Sequence, residues 1–206
     1  MADVRKLLER AGRTYAEEAG IKLADTPAPL YRLLVLSVLM SARIQATIAV
    51  AAARELVRAG LGTARRMADA SWQDRVDALG RGHYVRYDES TATALGDGAR
   101  LLLEEYGGDL RKLRDRAAGR EELGALLRKV PRLGPVGVDI FCREAQQVWP
   151  GLRPYFDAKA LQGAERLGLP RDPGKLGGLV DGDDQARLAA ALVRVSRDKK
   201  LADSLR

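Results

Sequence analysis

The chain has 206 residues, 46% of them hydrophobic, enough to bury a sizeable core as one large or two small domains without disulfides. Lys and Arg number 35 against 28 Asp and Glu, giving a formal charge of +7 and favouring a polyanionic partner, nucleic acid ahead of an anionic membrane. The single cysteine, Cys142, excludes a disulfide framework and a cysteine-only metal or iron–sulfur site, and the single histidine, His83, excludes any two-histidine motif.

The lone cysteine makes an intracellular, reducing compartment the simplest expectation, and the start, Met1-Ala2-Asp3-Val4-Arg5-Lys6, carries no signal-type apolar core, so export is not expected. Apolar residues Val4, Leu7, Leu8, Ala11 and Tyr15 recur at helical spacing and predict an N-terminal helix closed by Gly20. A second helix is expected from the prolines Pro27 and Pro29, with residues 30–40 facing a core on nearly all sides. Arg32 and Arg43 interrupt the apolar region 30–53, leaving uncharged runs of about ten residues where a membrane span needs about twenty, so no membrane helix is expected.

After a polar break at 41–45, helices are expected over 46–59 and 63–68, and Ser71 caps the next, with Asp74 completing an imperfect capping box. Residues 79–87 contain Gly80 and Gly82 and read as a loop; a helix then opens at Asp88 or Ser90 and stops at Gly107-Gly108. Residues 110–113 read as a short turn, 120–129 as a helix with Leu123, Leu126 and Leu127 inward, 137–148 as another, and 152–156 as an extended approach to Asp157. Beyond it, 158–167 is expected to be helical, 168–178 a loop, and 183–204 a closing helix with Leu188, Ala191, Leu192 and Val195 on one face. No stretch shows strand alternation, and the class expected is all-α.

Between the helices at 120–129 and 137–148 lies Val130-Pro131-Arg132-Leu133-Gly134-Pro135-Val136-Gly137. Pro131 stops the first helix, Leu133 pins the turn, and glycines permit close backbone approach, so backbone N–H groups can converge on an anion such as a DNA phosphate. This segment resembles the hairpin Leu-Pro-Gly-Val-Gly of the helix-hairpin-helix (HhH-GPD) DNA glycosylase superfamily, the endonuclease III and adenine glycosylase group, with Arg132 in place of one glycine. Leu39-Met40-Ser41-Ala42-Arg43 is similar to that family's Leu-Leu-Ser-Ala-Gln segment, and Asp157 follows at about the spacing of its essential aspartate. The likeness covers roughly residues 30–168.

The resemblance implies a two-lobed fold, with one domain at 28–135, a second formed by 1–27 and 136–206, and the hairpin, 121–148, at the junction. It implies binding of double-stranded DNA in base-excision repair, in the cytoplasm at the nucleoid, and hydrolysis of the N-glycosidic bond of a flipped damaged or mismatched base. Asp157 would supply the carboxylate that stabilises positive charge at the anomeric carbon; as an N-cap of the following helix it would also be structural, and the two roles are compatible. Phosphate contacts would come from Leu133, Gly134, Pro135, Val136 and Gly137, with a monovalent cation on the hairpin carbonyls, aided by Lys129 and Arg132. Arg132 either disturbs a glycine turn or adds a phosphate contact.

Arg43 and Gln45 fall near the family's gap-filling glutamine, and His83, Tyr84 and Tyr87 either line a base pocket or anchor their loop. Lyase members carry a lysine at the position of Val136, so strand cleavage is not expected unless Lys129 or Lys159 substitutes. The cysteines of the family's iron–sulfur loop are missing from 168–206, so no cofactor of that kind and no other metal is expected. The competing expectation is a non-catalytic DNA-binding protein that keeps the hairpin and the basic surface.

Overall fold

A computed structural model describes residues 3–205, and all regular structure in them is helical. In chain order the helices are α1 (Val4–Ala11), α2 (Tyr15–Glu18), α3 (Pro27–Ser41), α4 (Ala46–Arg58), α5 (Ala64–Asp69), α6 (Trp72–Arg81), α7 (Asp88–Tyr106), α8 (Leu110–Arg116), α9 (Arg120–Leu127), α10 (Pro135–Ala145), α11 (Ala158–Arg166), α12 (Pro173–Gly177), α13 (Gln185–Arg197) and α14 (Lys199–Ser204). The protein is all-α. No helix among the described residues is long and apolar enough to cross a membrane.

The chain divides into two compact units. A terminal unit takes the N-terminal stretch up to Glu18 and the chain from Cys142 onward, and a central unit takes Ala19–Phe141. These divisions lie away from the junctions expected at 27/28 and 135/136. One reason is Ile21, which lines an apolar recess of the central unit with Val35, Leu56 and Leu61.

In the central unit α3 is buried almost all round, from Leu30 and Tyr31 through Leu33–Leu39, as its unbroken apolar run dictates. Buried Arg75 ties three helices together: its Nε donates to the Ala92 carbonyl (2.8 Å) and its Nη1 to those of Met67 (3.0 Å) and Ala70 (2.9 Å). That tie explains Gly96 in the middle of α7. A Cβ there would lie 2.7 Å from the Arg75 guanidinium, so the residue that weakens the helix locally makes room for the buried arginine.

In the terminal unit α13 is the central helix, with Leu188, Leu192 and Val195 fully buried, each burial contributing roughly 1.5–3 kcal/mol. Helix α11 packs against it at Gly163, where a Cβ would stand 1.9 Å from the Leu192 carbonyl oxygen. Leu7 and Ala11 of α1 belong to the same core.

Several boundaries differ from the sequence expectation, and in each case a cap decides. The first helix ends at Ala11, because Thr14 and Glu17 form a reciprocal cap (Glu17 N–H to Thr14 Oγ1, 3.1 Å; Thr14 N–H to Glu17 Oε2, 2.8 Å) that starts α2. Residues 110–116 form a helix instead of a turn, capped by Asp109, and α12 forms inside the expected loop because Asp172 caps it with Pro173 at its first position. Asp198 ends the last long helix and caps α14, and α6 runs to Arg81, shortening the expected loop at 79–87. Helix α10 begins at Pro135, two residues before the glycine expected to open it, since proline's fixed φ suits a first turn.

Candidate functional site

The turn between α9 and α10 is built by its own residues. Leu127 accepts the N–H of Val130 (3.0 Å), and Val130 accepts that of Leu133 (3.1 Å), while the Leu133 side chain is buried as the pin of the turn. Arg132 lies in the left-handed region at φ 64°, a conformation glycine adopts freely and an L side chain at a cost of about 1–2 kcal/mol. Arg132 thus holds a backbone conformation that glycine would adopt at lower cost.

The expectation that every residue from Leu133 to Gly137 offers an N–H needs correction. That of Leu133 is spent on Val130, and Pro135 has none, which leaves Gly134, Val136 and Gly137 at the start of an eleven-residue helix. The Val136 side chain is 57% exposed. Gly137 is buried, and a Cβ there would meet Ser41 Oγ at 2.3 Å and Leu133 Cδ1 at 2.7 Å, so the turn and the 39–43 segment are brought together as close-packed neighbours. Gly134 faces open space and has no positive φ.

Around the turn, Arg132 Nη1 donates to Ser90 Oγ, and its guanidinium lies 5.7 Å from the centre of the Tyr87 ring, with Arg86 at 5.2 Å from the same ring. Tyr87 is half-buried and His83 exposed, the latter at φ 62°. Tyr84 is different from its neighbours: it is 1% exposed, its hydroxyl donates to the Leu39 carbonyl (3.4 Å), and burial raises its phenol pKa. It anchors the loop, and a ring buried to this degree presents no face on which an extruded base could stack, contrary to the expectation for Tyr84. Arg43 and Gln45 are exposed in the break before α4, where Gln45 stands at the cap position without a side-chain cap bond.

Charge is unevenly neutralised on the central unit. Arg58, Arg81, Arg100, Arg111 and Arg114 each meet a carboxylate. Arg43, Arg86, Lys129 and Arg132, close to the turn in sequence or in space, meet none among the described residues and are exposed, and the same holds for Arg65, Arg66, Lys112, Arg116 and Arg128 elsewhere on the unit.

Asp157, in the terminal unit, is held on both sides. Its Oδ1 accepts the Ala160 N–H (2.9 Å) as the N-cap of α11, and its Oδ2 accepts from Arg143 Nη1 (2.6 Å). The pair is buried, the side chains being 3% and 7% exposed, so loss of either partner costs about 3–5 kcal/mol. Gln146 positions the approach: its Nε2 donates to the Tyr155 carbonyl (2.8 Å) and its Oε1 accepts the Tyr155 N–H (2.9 Å), tying 153–156 to the end of α10. The expected extended run 152–156 is therefore a strap that begins at the 3-10 turn Pro150–Leu152. Lys159 is exposed, and its Nζ donates to Gln162 (3.2 Å).

The chain matches no protein-family model and no curated protein.

Sequence reasoning missed Arg143, Glu144 and Gln146, which fall within one turn at the C-terminal end of α10 and are all buried. A signal existed: three long polar side chains on a helix otherwise read as apolar must find partners inside the protein. Nothing local named those partners, since Asp157 lies fourteen residues from Arg143 and Tyr15 lies 129 from Glu144.

Proposed function

We propose that the protein binds double-stranded DNA through the turn 130–137 and hydrolyses the N-glycosidic bond of a damaged or mismatched base as a monofunctional glycosylase of the helix-hairpin-helix fold. The observation that carries the proposal is the turn. Arg132 takes a left-handed backbone at the position where the family's hairpin carries a glycine, and three backbone N–H groups stand without a partner among the described residues where a phosphate would sit. The un-neutralised cations Arg43, Arg86, Lys129 and Arg132 supply the sequence-independent attraction such binding needs.

In this scheme the Asp157 carboxylate stabilises the cation that develops at the anomeric carbon as the base departs with the bonding electrons, and water completes the substitution. Val136 has no nucleophilic atom, so no Schiff base forms and the sugar–phosphate strand stays intact. A monovalent cation at the turn would be left chiefly with the carbonyls of Pro131, Arg132 and Leu133, because those of Val130 and Gly134 already accept N–H groups, and no step is assigned to it.

A second reading, a DNA-binding protein without turnover, is favoured by one observation: both Asp157 oxygens are engaged and its side chain is 7% exposed. The two are separated by incubating the protein with duplexes carrying oxidised, alkylated, deaminated or mismatched bases, with borohydride present in parallel. Base release without a trapped adduct supports the glycosylase; binding with no release on any duplex supports the second reading; a borohydride-trapped complex contradicts the role assigned to Val136 and points to Lys129 or Lys159.

A further inference from the structure

Arg143 is the most conspicuous group in the terminal unit that the proposed chemistry does not use. Its side chain is 3% exposed, its Nη1 is 2.6 Å from Asp157 Oδ2, and its Nε is buried with no hydrogen-bond partner among the described residues. A buried guanidinium whose donors are incompletely satisfied is a costly thing for a fold to keep when a simple N-cap needs no arginine. The cap function of Asp157 is already complete through Oδ1 and the Ala160 N–H.

We infer that Arg143 is a positioning residue for Asp157. This rests on the glycosylase reading of Asp157. Two rigid donors from different directions, a helix N–H on Oδ1 and a guanidinium on Oδ2, fix the torsion of the carboxylate. Each carboxylate oxygen has two lone-pair directions, so one bond apiece leaves each oxygen with acceptor capacity for a water or a sugar hydrogen. Arg143 touches neither base nor sugar in this role; it holds the group that does. The planar fork matters more than the charge, because a lysine ammonium is a point donor on a flexible stem and would leave the carboxylate freer to rotate. Arg143 enters the chain on α10 and Asp157 opens α11, so the pair also couples the orientation of the carboxylate to the strap tied down by Gln146.

The test is single-turnover and steady-state base release by the full chain, comparing wild type, Arg143→Lys and Arg143→Met. Rates are normalised to the folded fraction from melting curves, and duplex affinity is measured in parallel. Positioning predicts a graded loss confined to kcat, about ten-fold for Arg143→Lys and about a hundred-fold for Arg143→Met, with KM and duplex affinity within about two-fold of wild type. Should Arg143→Met not fold, the kcat and KM of Arg143→Lys carry the comparison. Normalised kcat unchanged in the folded variants, or loss that appears in KM, overturns the positioning role while leaving the glycosylase reading intact. Absence of base release by wild type on every duplex removes that reading, and the positioning role with it.

Discussion

Gly134 illustrates how one residue separates stability from function. No atom lies near the position of an added Cβ and its φ is not positive, so Gly134→Ala should leave stability within about 0.5 kcal/mol of wild type. If its backbone approaches a phosphate, the added methyl stands in the way, and duplex affinity should fall; anisotropy titration beside a thermal melt checks both. Unchanged affinity would detach Gly134 from the DNA contact. Glu144 makes the opposite case, a residue whose effect is on the fold. It is fully buried and accepts the N–H groups of Tyr15 (3.3 Å) and Ala16 (2.8 Å). Burial raises its carboxyl pKa, with Arg143, the two N–H bonds and Arg194 opposing. Because the folded protein holds this proton more tightly than the unfolded chain, the contribution is full below the unfolded value of about 4.3 and is lost as pH rises through the raised folded value. Urea midpoints measured upward from pH 4 should therefore show a decline in wild type that Glu144→Gln lacks; parallel profiles would contradict the assignment.

At the scale of elements, close approach and capping decide what apolar periodicity leaves open. Helices α11 and α13 meet backbone to backbone at Gly163, and a Cβ 1.9 Å from a main-chain carbonyl cannot be relieved by rotating a side chain. Gly163→Ala should cost near the upper end of about 1–3 kcal/mol, read as a lowered melting temperature, and a neutral substitution would mean the two helices can slide apart. The long helices α3, α4 and α7 were legible in the sequence because an apolar run or a strong stop signal marks each, as Gly107-Gly108 does for α7. Short ones such as α2, α8 and α12 were not, because four to seven residues carry less periodicity than their caps carry information, and Thr14, Asp109 and Asp172 are the residues that announce them. The turn at 130–137 was legible down to its apolar pin, Leu133; that Arg132 would adopt φ 64° was not, since an L residue other than glycine rarely takes that conformation. Arg143 and Asp157 could not be paired from sequence, because a contact across fourteen residues and a strap has no local signature.

For the molecule as a whole, the excess of +7 matters through its distribution more than its size. Five arginines of the central unit are paired with carboxylates, whereas the exposed cations at and near the turn, Arg43, Arg86, Lys129 and Arg132, carry no such pair among the described residues. Duplex affinity should accordingly fall linearly in a plot of log K against log salt, and Arg132→Gly should reduce the slope by about one, the signature of a single lost phosphate contact. A slope unaltered by that substitution would contradict the proposed phosphate contact of Arg132. The most direct measurement of the central claim is base release at saturating protein on duplexes carrying a panel of damaged and mismatched bases, comparing wild type with Asp157→Asn at equal DNA occupancy. The account predicts release by wild type on at least one duplex and a loss of about a hundred-fold or more in Asp157→Asn with binding preserved. Equal release by the two proteins, or none by wild type on any duplex, would contradict it.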